Sequence, residues 1–136
     1  MLPLFLLLFS YDLDAVKAEP NPERRADLAL DNANAALDRA RNFYKDADYD
    51  KSKAAVIEVQ DSVELCHESL KSTGKDPQKN VKQFKKVEMR MQMLVRRLNG
   101  FSMEVSVEDR PTIKKAVERV QDINEEIVTG IFTKRK

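Results

Sequence analysis

Turn-forming residues are scarce in this chain. Only 3 glycines and 5 prolines occur among 136 residues, too few for a turn-rich β-sandwich or barrel. Cysteine is scarcer still. Cys66 stands alone, so no internal disulfide can form and the fold must rest on packing. A lone thiol of this kind is expected to be buried. Charge of one sign is also lacking: 24 Lys and Arg against 23 Asp and Glu leave a net charge of +1. That balance gives no general pull toward nucleic acid and no specific nucleic-acid partner is expected. Finally, no apolar run is long enough to cross a bilayer, which needs roughly 20 residues.

What is present is helix-forming. Hydrophobic residues make up 42% and charged residues 35%, too apolar for a disordered tail and too charged for a membrane bundle. Abundant Ala, Leu, Lys, Arg, Glu and Asp favour long helices. The spacing predicts four of them, over about 22–46, 50–72, 77–99 and 108–131. In the first, Ala26, Ala29, Leu30, Ala33, Ala36, Leu37, Ala40, Phe43 and Tyr44 recur every three or four residues. Asn21 is placed to cap it and Pro22 to open it. In the second, Tyr49, Val56, Val63 and Leu70 alternate with Ser52, Val59 and Cys66 as a heptad seam. Gly74 is placed to end that helix in a left-handed conformation.

Asp76-Pro77 is expected to start the third helix, whose apolar face is Phe84, Val87, Met91, Leu94, Val95 and Leu98, and Gly100 to close it. A loop holding Phe101, Met103 and Val105 should follow, with Ser106 and Asp109 at capping-box spacing. Pro111 lies in the first turn of the fourth helix, whose stripe is Ile113, Ala116, Val117, Val120, Ile123, Ile127 and Ile131. Similar helix lengths and short connections predict an all-α, antiparallel up-down-up-down four-helix bundle. Residues 133–136 should fray.

The N-terminus carries a separate signal. Residues 2–9 form an uncharged apolar run with the length of a signal-peptide core, and Val16 and Ala18 stand three before and immediately before a cleavage position after Ala18. Residues 1–18 are therefore expected to be a signal peptide and residues 19–136 the mature bundle, exported to a periplasmic or extracellular space. Without processing the protein belongs to the cytoplasm or a membrane face.

One stretch has a familiar look. Ala36, Ala40, Phe43, the turn Asp46-Ala47-Asp48-Tyr49, Ser52 and Val56 resemble the small and aromatic positions of a tetratricopeptide helix pair. The resemblance covers about 25 residues and does not recur at the family's period of about 34. It implies hairpin geometry and, as an alternative function, a tetratricopeptide-like interaction module.

Catalytic constellations are not evident. His67 is the only histidine, and on a helix it points about 100° away from Cys66. The two cannot chelate one ion together, and a zinc site lacks further ligands. A di-iron bundle needs two Glu-x-x-His motifs, whereas only Glu64 to His67 fits. Ser72-Thr73-Gly74-Lys75 lacks the rest of a phosphate-binding loop. No enzyme activity, cofactor or metal site is expected. The alternative is a carrier that holds haem between His67 and Met91, or copper on Met89, Met91, Met93 and Met103.

Charge, finally, is uneven along the chain. Residues 19–72 hold 8 basic and 12 acidic side chains, residues 75–99 hold 8 and 2, and residues 100–136 hold 7 and 7. The third helix is the basic element. On a helical wheel Lys79, Lys82, Lys86, Arg90 and Arg97 fall within about 60° of one another's mean direction, and Met89 and Met93 face away from the apolar stripe. Exposed methionines beside cations suit partner contact. Lys79, Lys82, Lys86, Met89, Arg90, Met93 and Arg97 are thus the expected binding residues, for an acidic protein or an anionic envelope surface.

Overall fold

A computed structural model describes residues 13–132. The apolar run at residues 2–9 and the tail 133–136 lie outside the described residues. The chain is all-α, with no strand among the described residues. A short helix, α1 (Leu13–Lys17), precedes four long ones: α2 (Pro22–Lys45), α3 (Tyr49–Ser72), α4 (Val81–Glu104) and α5 (Arg110–Phe132). They form two compact units, one ending at Thr73 and the other beginning at Gly74.

The first unit is an antiparallel hairpin of α2 and α3 with α1 packed on it. Asn21 caps α2 as expected: its Oδ1 accepts the backbone N–H groups of Glu23 and Arg24 at 2.9 and 3.1 Å. Buried Ala26, Ala29, Ala33, Ala36 and Ala40 give α2 a stripe without bulk. The matching stripe of α3 is Ser52, Ala55, Val59, Ser62, Cys66 and Ser69, also buried. Small residues on both sides let the two backbones approach closely.

Three polar bridges at different heights fix the register. Arg25 Nε donates to Ser69 Oγ at 2.8 Å, Asn32 Nδ2 to Ser62 Oγ at 3.0 Å, and Ser52 Oγ to the Ala40 carbonyl at 2.8 Å. Cys66 is buried in this seam. Tyr49 departs from the expected heptad: it is 52% exposed, at the first residue of α3 beside the hairpin turn. Its ring contacts only Tyr44 among the described aromatic pairs, at 4.9 Å.

The turn between α2 and α3 closes without glycine. Ala47 takes φ +61°, and the N–H groups of Ala47 and Asp48 donate to the carbonyls of Tyr44 and Phe43 at 3.0 and 2.8 Å. These two bonds make a Schellman ending. After α3, Gly74 adopts φ +67°, the left-handed geometry that its position suggested.

In α1, Val16 is buried and Leu13 half-buried. The Glu19 carboxylate pairs with Arg24 at 2.8 Å, and the Glu19 carbonyl accepts from Arg25 Nη1 at 2.8 Å. Residues on both sides of the expected cleavage position therefore pack on the hairpin.

The second unit joins α4 and α5 through Val105 and a 3-10 turn, Val107–Asp109. Here the expected boundaries need correction at both ends of the third helix. Pro77 does not open α4. Asp76 instead closes a separate turn, accepting from Gln78 N on its side chain and from Lys79 N and Asn80 N on its carbonyl. Asn80 then breaks the path at φ −125° and ψ 40°, and the helix begins at Val81. Pro77 serves packing: its ring sits where a side chain at Gly130 would be, 3.3 Å from that position.

Gly100 does not close α4 either. The helix continues to Glu104 because Phe101 and Ser102 fall on the buried side one turn after Leu98. Burying a phenylalanine is worth about 1.5–3 kcal/mol, more than the roughly 1 kcal/mol cost of an interior glycine. The expected loop at 101–107 shrinks accordingly to Val105 and Ser106. Ser106 Oγ reaches Asp109 Oδ2 at 3.3 Å but caps no backbone N–H. Every residue of the expected α5 stripe, from Ile113 to Ile131, is buried.

Candidate partner-binding site

The inner side of α4 is fixed by Phe84, Val87, Met91, Leu94, Leu98 and Phe101, all buried. At 100° per residue their mean direction lies near 90° when Lys79 is set to zero. The opposite side, near 270°, is what α4 offers to solvent. Seven residues reach it in steps of four and three: Lys82, Lys86, Met89, Met93, Arg96, Gly100 and Met103, all exposed. Met89 is 59% exposed, Met93 61% and Met103 80%.

The placement of the expected binding residues is therefore mixed. Lys82, Lys86, Met89 and Met93 lie together on the outer face. Arg90 and Arg97 lie at the flank of the buried stripe, where both are half-buried and engaged in interactions of their own. Lys79 is exposed but precedes α4, in the Asp76 turn. The reason is geometric. The row centred on Lys79 lies about 90° from the apolar stripe, on its shoulder, rather than opposite to it. Arg96 and Lys85 lie nearer the direction opposite the Phe84–Leu98 stripe, and Met103 joins them because the helix runs past Gly100 to Glu104.

Electrostatically the face is one-sided. Lys82, Lys85, Lys86 and Arg96 are exposed along it. Glu104 is exposed at its far end, and half-buried Glu88 on the helix's side accepts from Gln92 Nε2. Met89 and Met93 lie one turn apart and Met103 about three turns beyond them. Their unbranched thioethers adapt to irregular partner surfaces more readily than branched side chains do.

Two clefts among the described residues border other parts of the helices, the first of them sharing Arg96 with the outer face. One, about 330 Å³, is bounded by Gln92, Val95 and Arg96 of α4 and Gln121, Asn124 and Glu125 of α5. The other, about 400 Å³, lies between α1 and α3 and is lined by Leu13, Asp14, Lys17, Ala54, Ile57, Glu58 and Asp61. Neither contains a histidine, a cysteine or a serine. Among the described residues no three His, Cys, Asp or Glu side chains converge to hold a metal ion. Met91 is fully buried, on the side of α4 opposite Met89 and Met93, so these three thioethers do not converge on one point. None of the described helices is long and apolar enough to cross a membrane.

The α2–α3 pair also departs in size from a tetratricopeptide unit. Each helix has 24 residues, whereas the whole tetratricopeptide repeat spans about 34. No protein-family model, curated protein or solved structure matches this chain.

Proposed function

We propose that this chain is a non-enzymatic, exported binding protein that engages an acidic protein through the outer face of α4. The supporting observation is the exposure of Met89 and Met93, one turn apart and more than half accessible, beside Lys82, Lys86 and Arg96. Large apolar side chains held in solvent gain free energy when a partner covers them, on the order of 25 cal/mol per Å² of apolar area. Neighbouring cations steer an acidic partner toward that face and discriminate against basic ones. Export rests on the apolar run at residues 2–9.

The reading is tested by affinity capture from the producing cell. Wild-type protein should retain a partner that Lys82→Glu/Lys86→Glu loses, with unchanged helix content by circular dichroism. Equal recovery of every protein by both forms contradicts the proposal.

A further inference from the structure

We infer that the element received by α4 is itself an acidic amphipathic helix, lying lengthwise on the outer face as in a two-stranded coiled coil. This inference rests on the binding reading of the same face. Lys82, Lys86, Met89, Met93, Arg96 and Met103 follow the alternating four- and three-residue steps of a heptad seam. Such a seam is narrow. Its knobs fit the holes of one facing helix, which presents side chains at the same period.

A lipid surface asks for something different. Helices that lie in a membrane interface present a wide apolar arc with Trp, Phe or Leu. The outer face of α4 carries methionine as its only large apolar residue at the seam, and polar Lys85, Gln92 and Asn99 are exposed beside it. A second copy of α4 laid parallel would set the same cations against each other. The complementary helix carries acids at the positions flanking its apolar seam, within reach of the long side chains of Lys82, Lys86 and Arg96. From Lys82 to Met103 the seam runs about 30 Å at 1.5 Å per residue, so the partner helix needs three heptads. Between Arg96 and Met103 the seam position is a glycine, exposed and without a side chain. A bulky partner residue fits opposite that gap.

The experiment uses the full chain and three probes. The first is a fluorescent three-heptad peptide with Leu at the seam and Glu at the flanking positions. The second is the same peptide with Lys at the flanks. The third is a set of vesicles of phosphatidylglycerol and phosphatidylcholine. The Glu-flanked peptide should bind at least about 10-fold more tightly than the Lys-flanked one. Its affinity should fall as salt is raised from about 0.05 to about 0.3 M, and should drop about 10-fold or more in Met89→Glu/Met93→Glu. Equal binding of the two peptides, or binding of neither, overturns the inference. If the vesicles or a second copy of the chain then bind in a manner sensitive to Met89→Glu/Met93→Glu, the binding face survives and only its helical partner is lost. If no probe and no captured protein responds to that variant or to Lys82→Glu/Lys86→Glu, both readings fail.

Discussion

Ala47 holds the connection between α2 and α3 in a left-handed conformation, with φ +61°. An L-residue with a Cβ pays about 1–2 kcal/mol there relative to the ordinary helical region, whereas glycine does not. The strain is tolerated because two backbone bonds, from Ala47 and Asp48 back to Tyr44 and Phe43, close the helix end. Replacing this alanine by glycine keeps both bonds and relieves the strain, but loosens the unfolded chain. Ala47→Gly should therefore stabilise the protein by about 0.5–1 kcal/mol, read as a higher urea midpoint with an unchanged slope. An unchanged or lower midpoint would show that the turn carries no such strain. The methionines show the opposite economy at the same scale: Met91 is fully buried while Met89 and Met93, two residues to either side, stand in solvent. Two residues on a helix are about 200° apart, so alternation within the triplet follows once Met91 joins the core stripe.

At the scale of the elements, the two hairpins are built differently. The α2–α3 pair relies on closeness along one stripe, with alanines on one side and serines, alanine, Val59 and cysteine on the other, flanked by buried Leu30, Leu37, Val56 and Val63, and with register set by polar bridges. Asn32 is buried and shares its amide between Ser62 and Glu58, and Glu58 also receives Arg39 at 2.6 Å. Such a seam has no room for added volume. Ala33→Leu places three extra carbons at a fully buried position and should cost at least about 1–3 kcal/mol. Urea denaturation checks this, and a variant as stable as wild type would mean that the helices do not meet at that stripe. The α4–α5 pair instead packs larger side chains, and its inner stripes were legible as periodicity alone. So were the cap at Asn21, the left-handed Gly74 and the burial of Cys66. The start of α4 was not, because Asp76-Pro77 has the letters of a helix opening and only the Asn80 break and the Gly130 contact reveal another use. Its end was not, because Gly100 has the letter of a stop, and the burial of Phe101 is a tertiary effect. The outer face of α4 was half legible. The exposure of Met89 and Met93 followed from the wheel, but the basic row was centred on the shoulder of the stripe, where Arg90 and Arg97 are half-buried, whereas Arg96 is exposed.

For the molecule as a whole, the basic character of residues 75–99 acquires a position. Four exposed cations and three exposed methionines share the outer side of one helix, while the acidic excess belongs to the other unit. A near-neutral chain thus presents a locally positive face, which favours association with acidic proteins at a rate that salt suppresses. The central claim is that this face is occupied in the cell. Photo-crosslinking tests it most directly, with a photoreactive amino acid placed at position 89, 93 or 103 and, as exposed controls on the other hairpin, at Tyr49 or Ile57. The account predicts one common adduct from the three α4 positions, absent from the controls and lost when Lys82→Glu/Lys86→Glu is added. Adducts no stronger at α4 than at the controls, or unaffected by the charge reversal, would contradict it.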